Sequence, residues 1–262
     1  MNTEPAITPF ELTQRLVAFP APTLVDVRRD EAFARDRNVI PGALKRAPET
    51  VADWASELDP WRAVVVYCVR GHEVSRDAAA ALRERGLDAR FVEGGLEAWR
   101  AGGGRAAPFA EPTRWVTRAR PKIDRIACPW LVRRFIDPSA VFFYVPAADV
   151  RAFADREGAT PYDVADVAYG HDGDRCSFDA FVRIHSLSDA ALDRLATIVR
   201  GADTGATTLA PQAAGLLATS HGLSALFPDD HAMLRAGMIM YDALYLWCRA
   251  QTQAESAPRR AA

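Results

Sequence analysis

Ala63-Val64-Val65-Val66-Tyr67, then Cys68-Val69-Arg70-Gly71-His72-Glu73, then the alanine-rich stretch from Asp77 to Arg85 set the architecture of the first part of this chain. An unbroken apolar run of this length reads as a strand buried on both faces. The loop after it contains a glycine and opens a helix. Working outward, further strand-like runs at Thr23–Val27 and Ala89–Val92 alternate with helical stretches at Thr8–Phe19, Pro48–Leu58 and Ser75–Arg85. The alternation predicts an α/β fold, a parallel sheet with helices on both faces. Sites in such sheets lie at the carboxyl ends of the strands, where Cys68 falls.

A cysteine at a strand tip, in a loop that opens a helix, is set up to act as a thiolate. Loop amides can converge on the sulfur, and the positive helix end favours negative charge. Together these are expected to lower the thiol pKa from about 8.5 toward neutrality. The competing reading is a structural cysteine, because free thiols often pack as small hydrophobes.

Residues 1–104 resemble a single rhodanese (sulfurtransferase) domain. Leu24-Val25-Asp26-Val27-Arg28 matches the family's early strand, and Val39-Ile40-Pro41-Gly42-Ala43 its Ile-Pro-Gly-Ala stretch, with Val39 where a histidine is usual. Phe91-Val92-Glu93-Gly94-Gly95-Leu96-Glu97-Ala98-Trp99 matches the closing strand, double-glycine turn and helix. Phosphatases sharing this fold carry a longer loop with an arginine six positions after the cysteine; here that position is Val74. The shorter loop suits one extra sulfur, whereas a phosphoryl group needs a guanidinium to hold its oxygens.

The resemblance implies nucleophilic catalysis in which Cys68 takes sulfur from a small-molecule or protein donor and passes it to a thiol acceptor. No cofactor is required for that transfer. Arg70 would guide an anionic donor, Gly71 would allow the tight turn, and His72 and Glu73 would line the substrate position. Glu73 opposes both thiolate and anion, which counts against thiosulfate as donor. Asp26 and Arg28 would brace the loop from the neighbouring strand, or form only a structural ion pair.

Of 262 residues, half are apolar and a quarter charged, with a net charge of -2. This is ordinary globular composition, with no general attraction to nucleic acid or membrane. The cysteines at 68, 128, 176 and 248 form no CxxC pair. A disulfide framework is not expected, and a reducing cytoplasm fits. The first residues show no basic region followed by an apolar run, so no secretory signal is expected.

Ala101-Gly102-Gly103-Gly104-Arg105-Ala106-Ala107-Pro108 breaks helix and periodicity. The reading is a first domain over 1–104, a linker over 105–112, a second domain over 113–250 and a disordered tail over 251–262. In the second domain, Trp115–Thr117 and Val141–Val145 look like strands. Pro129–Ile136, Ala147–Glu157, Asp189–Gly201 (capped by Ser188), Pro211–Ser220 and His231–Ala250 look helical. The expectation is a mixed α+β, largely helical domain.

Thr113-Arg114-Trp115-Val116-Thr117-Arg118, Lys122 through Pro138, Pro161-Tyr162-Asp163-Val164, Cys176-Ser177-Phe178-Asp179, Val199 through Thr204 and Tyr241-Asp242-Ala243-Leu244-Tyr245 are similar to the chromate-resistance ChrB C-terminal domain. The resemblance implies a part in chromate resistance or chromate-responsive regulation. Between Arg114 and Arg134 seven basic residues face one acid, Asp124. Arginine forks suit tetrahedral oxyanions such as chromate or sulfate, with Arg118, Lys122 and Arg125 as candidates. A solvated basic face is the plain alternative, and nucleic acid is disfavoured without a reading helix or aromatic platform. His171 and Cys176, five apart in a polar loop, are a candidate pair for zinc or iron. Asp124, Cys128, His185 and His221 are possible completing donors. Two functions follow: a sulfurtransferase joined to an oxyanion- or metal-handling domain, or a non-catalytic chromate or redox sensor switched at Cys68.

Overall fold

A computed structural model describes residues 5–256, which separate into two units that meet between residues 111 and 112 of the chain. The first unit opens with β1 (Ala6–Ile7), α1 (Pro9–Leu16), β2 (Thr23–Asp26), α2 (Asp30–Arg35), β3 (Asn38–Val39) and β4 (Leu44–Lys45). It continues with α3 (Val51–Trp54), β5 (Val64–Tyr67), α4 (Glu73–Arg83), β6 (Ala89–Val92), α5 (Gly95–Ala101) and β7 (Ala107–Pro108). Five strands form a parallel sheet in the order β1-β6-β5-β2-β4. Strand β5 lies at its centre, flanked by β6 and β2, and its side chains alternate between two cores. Val64, Val66 and Cys68 face Leu82 and Phe91, while Val65 and Tyr67 face Ile40, Leu96 and Trp99. Burying its three valines contributes roughly 5–9 kcal/mol before the entropy of ordering the strand is subtracted.

The helices are held by local chemistry. Thr8 caps α1 in a reciprocal box with Glu11, whose carboxylate accepts from the Thr8 amide at 2.9 Å. The Pro48–Leu58 stretch, read as one helix, is broken into 3-10 turns around a four-residue α3. The expected linker is also partly structured: β7 pairs antiparallel with β3, and Phe109 meets Phe33 edge-on.

The second unit contains β8 (Arg114–Arg118), α6 (Asp124–Leu131), β9 (Val141–Val145), α7 (Val150–Glu157), β10 (Thr160–Pro161), α8 (Ser177–Ile184), α9 (Ala190–Asp203), α10 (Pro211–Leu226) and α11 (Asp230–Ser256). A parallel three-stranded sheet, β10-β8-β9, adjoins a helical bundle, so the unit is mixed but largely helical. Helix α6 starts at Asp124, five residues before the expected Pro129, and runs into a π-helical turn over Val132–Ile136. The cap of α9 is Asp189, whose carboxylate accepts from the amides of Ala191 and Leu192, and not Ser188. Helix α11 continues past Gln251, where disorder was expected. Thr252 and Ser256 hydroxyls donate to carbonyls one turn back, and Glu255 pairs with Arg194. Residues 257–262 of that expected tail lie outside the described residues.

Asp242 ties α11 to α6. It accepts from Trp130 Nε1 at 2.8 Å and forms a two-point pair with Arg134, also at 2.8 Å, with both charged side chains buried. Asp242→Asn removes the carboxylate from this two-point pair and turns an amide N–H toward a donor. A loss of about 2–3 kcal/mol is expected in denaturant unfolding of the second unit.

Candidate functional site

The loop after β5 is clamped by the first turn of α5. Leu96 and Glu97 amides donate to the carbonyls of Cys68 and Val69 at 2.9 and 3.1 Å. This close approach depends on two glycines with left-handed backbone. A Cβ on Gly71 (φ +68°) would sit 2.5 Å from Val92 O and 2.7 Å from Gly94 N. One on Gly95 (φ +59°) would sit 2.6 Å from Gly71 N and would strike the Cys68 carbonyl. Only glycine fits such positions. Cys68 is 6% exposed, and its sulfur lies 3.2 Å from the Ser75 hydroxyl in the first turn of α4. His72 is the residue before that helix, and its side chain, like that of Glu73, is exposed. Arg70 is also exposed and pairs through Nε with both oxygens of Glu97 at 3.2 Å.

The second unit gathers a different set at the carboxyl ends of β8 and β10. Asp124 begins α6, Asp163 follows β10, His171 lies in the loop before α8, and Asp203 ends α9. His171 Nε2 is 3.1 Å from Asp203 Oδ2, 3.4 Å from Asp163 Oδ1 and 3.7 Å from Asp124 Oδ2. Asp124 is fully buried; its Oδ2 accepts from the Ser177 and Phe178 amides at 2.6 and 3.3 Å. Burial and the neighbouring carboxylates of Asp203 and Asp163 push the Asp124 carboxyl well above the usual range, and burial and Asp163 also raise Asp203. Asp163 is held from both sides, with Ser177 Oγ donating to Oδ1 at 3.0 Å and Arg118 and Arg125 on Oδ2 at 3.0 and 3.3 Å. The backbone around the cluster is strained: Asp163 lies at φ +51° and the β-branched Ile123 at φ +31°. Asp124, Asp163 and His171 offer ligand atoms all within 4.8 Å of one another, two buried carboxylates and an exposed imidazole able to coordinate a metal.

Residues 115–248, more than half the chain, match the profile of the ChrB C-terminal domain, and residues 8–102 that of the rhodanese-like domain. The chain is a rhodanese-like domain joined to a ChrB C-terminal domain. Protein ChrB of Cupriavidus metallidurans is 36% identical over 144 residues, covering 53% of this chain and 43% of that relative. The chain thus spans less than half the length of that protein. The thiosulfate sulfurtransferase GlpE of Pseudomonas syringae is 40% identical over 78 residues, 29% of this chain and 71% of that enzyme. A rhodanese-like domain protein of Staphylococcus aureus of known structure is 32% identical, covering 36% of this chain and 90% of the other, at a TM-score of 0.33. Among the described residues no helix is long and apolar enough to cross a membrane.

Within the rhodanese-like domain, Cys68, Arg70, Gly71, His72 and Glu73 share one loop, as the sequence suggests. Asp26 and Arg28 do not brace it. They form a buried pair, Arg28 Nε meeting Asp26 Oδ2 at 2.9 Å. The remaining guanidinium nitrogens donate to the carbonyls of Asp36 and Asn38, at 2.8 and 3.0 Å, so the pair braces that neighbouring segment. In the ChrB domain His171 enters the acidic cluster, but Cys176 does not join it. Cys176 is buried at the start of α8, its amide donating to Asp179 at 3.0 Å, and its thiol is held far above the usual range by burial and by Asp124. Arg118 and Arg125 are committed to Asp163, and Lys122 lends Arg125 its backbone carbonyl. Arg118 and Arg125 thus already face a carboxylate. Of the suggested completing donors only Asp124 is in the cluster; His185 instead meets the Tyr169 hydroxyl at 3.2 Å. Asp163 and Asp203 lie within the ChrB-like segments of the sequence but carry no metal-ligand spacing, being single acids brought in by chain reversals.

Proposed function

We propose that the rhodanese-like domain is a sulfurtransferase that carries sulfane sulfur on Cys68 as a persulfide. The observation that carries this reading is the sulfur at the end of the central strand, ahead of the first turn of α4, in a loop fixed by two obligatory glycines. The relationship to a thiosulfate sulfurtransferase supports it. Cys68 thiolate attacks the outer sulfur of the donor. The donor's S–S bond breaks and the electron pair leaves with the remainder, as sulfite if the donor is thiosulfate. An acceptor thiolate or cyanide then attacks the terminal sulfur, breaking the enzyme's S–S bond and restoring the Cys68 thiolate. Sulfur moves with no net redox change and no cofactor. The Ser75 hydroxyl is within reach of the sulfur to stabilise its negative charge. Arg70 can leave Glu97 for an anionic donor at little cost, because exposed pairs contribute about 0–1 kcal/mol.

Joined to a ChrB domain, this chemistry fits chromate resistance, with sulfane sulfur or thiols supplied where an oxyanion is handled. Mass spectrometry of protein treated with thiosulfate or another sulfane donor is the test. A gain of about 32 Da, one sulfur, localised to Cys68 and removed by cyanide is expected. An adduct on another cysteine, or none with any donor, overturns the assignment.

A second reading concerns the ChrB domain, where the Asp124, Asp163 and His171 cluster favours a bound zinc or iron ion. Carboxylate and imidazole are donors that both metals accept.

A further inference from the structure

We infer that the outer face of α11 is the contact between two copies of this chain, meeting antiparallel about a two-fold axis near Ala243. Helix α11 has two apolar sides. One belongs to the core, where Leu234, Met238, Tyr241, Tyr245 and Cys248 are buried. The other starts two residues further on, about 200° around the helix, and recurs with a seven-residue period. Ala236, Ala243 and Ala250 occupy one position of that repeat, and Met240 and Trp247 the next. Ile239 and Leu246 flank them at 43% and 41% exposure, and Ala243 and Ala250 are exposed as well. Between Arg235 and Arg249 the one charged residue is Asp242, which is buried on the inner side and paired with Arg134. The outer face therefore carries no charge for more than three turns.

A helix that is apolar on every side is covered on every side, by lipid or by protein. Among the described residues no helix is long and apolar enough to span a bilayer, so protein is the cover that suits this one. The order of residues names that protein. From Ala236 to Ala250 the stripe runs small, large, small, large, small, the same in either direction. A copy running the opposite way presents matching layers to it. A seven-residue apolar repeat is also the pattern by which one helix seats its side chains between those of another. The same patch on both partners closes on itself as a dimer.

Helix α10 supplies the rest of the area. Its 16 residues include no Asp, Glu, Lys or Arg. Its exposed positions are mostly small, Ala214, Ala218, Gly222 and Ala225 among them, and it ends on Leu226 at 70% exposure. Helices α10 and α11 pack on each other and both on α9, so their outer faces adjoin. Two helices about 24 Å long and about 10 Å across offer roughly 500 Å² in projection, and more as accessible surface. Stable interfaces bury about 800 Å² per partner, a scale the two helices reach together and α11 alone does not.

Light scattering and sedimentation velocity of the full chain at micromolar concentration are the test. A dimer is expected, twice the 28.7 kDa of one chain. Ala243→Arg sets like charges face to face at the axis and should raise the dissociation constant at least about a hundredfold. Position 243 is exposed and arginine is a good helix former, so circular dichroism should match the wild type. Leu246→Gln, which adds no charge, should weaken association about tenfold. Val17→Arg, at an apolar position of the first unit that is 80% exposed, should leave the dimer unchanged. A monomeric wild-type chain overturns the proposal and leaves the face to a different partner. A dimer that withstands Ala243→Arg, or one that Val17→Arg dissociates, places the contact elsewhere and overturns it too.

Discussion

Cys68→Ser is expected to abolish sulfur transfer, lowering the steady-state rate at least about a thousandfold, on the scale seen when a covalent nucleophile is removed. The oxygen cannot form a persulfide, and a neutral hydroxyl is a weak nucleophile without a base to activate it. The exchange changes little else, since Cys68 packs with Val66 and Leu82 and keeps Ser75 as a polar neighbour. The other thiols offer no substitute. Cys128, Cys176 and Cys248 are wholly buried, and burial raises each, Cys248 to about 11. Rates should be measured with several donors in both proteins. Turnover of the serine variant at the wild-type level would refute the catalytic role. One-time modification of the wild-type protein without turnover would instead make Cys68 a switch.

Gly95→Ala should be the most damaging conservative change in the first unit, costing upward of about 4 kcal/mol and sulfur transfer with it. Two effects add. A left-handed residue bearing a Cβ costs about 1–2 kcal/mol by itself. The new methyl would also lie 2.6 Å from Gly71 N and 2.7 Å from the Val69 carbonyl carbon, both backbone atoms of the Cys68 loop. Backbone cannot rotate out of the way as a side-chain end can. Gly86→Ala separates the two effects, for Gly86 lies at φ +81° with nothing within 4 Å of the added carbon. Denaturant unfolding, followed as separate transitions for the two units, should show the Gly86 variant weakened by only the backbone share, about 1–2 kcal/mol. Equal losses for the two variants would mean the loop yields to the methyl, and the clamp argument would fail.

Strands buried on both faces leave a continuous apolar run, so Ala89–Val92 was legible residue for residue and the run Ala63–Tyr67 overshot the strand Val64–Tyr67 by one residue. Helix α2, with no buried residue, has no apolar stripe to mark it and was not read. The Cys68 loop was legible because its members are consecutive. The acidic cluster was only half legible, since His171 announces itself but Asp163 and Asp203 are lone carboxylates 40 residues apart with ordinary neighbours. Cys176 looked like a ligand from its spacing to His171. Spacing does not say which way a side chain turns once α8 begins, and that helix start put it in the core. The basic stretch likewise suggested anion binding because the acids that neutralise it, Glu157, Asp163 and Asp242, come from distant sequence.

The pairing of β7 with β3 changes where the first unit can be cut. The triple glycine at 102–104 looks like a natural scissors point, yet Ala107–Pro108 hydrogen-bonds back to Asn38–Val39, and Arg37 reaches Glu111 at 3.1 Å. Truncation at Gly104 would strip an edge strand from the segment that Arg28 also secures. A stand-alone fragment should therefore keep residues through Glu111, and swapping this module onto another protein must carry that returning strap along.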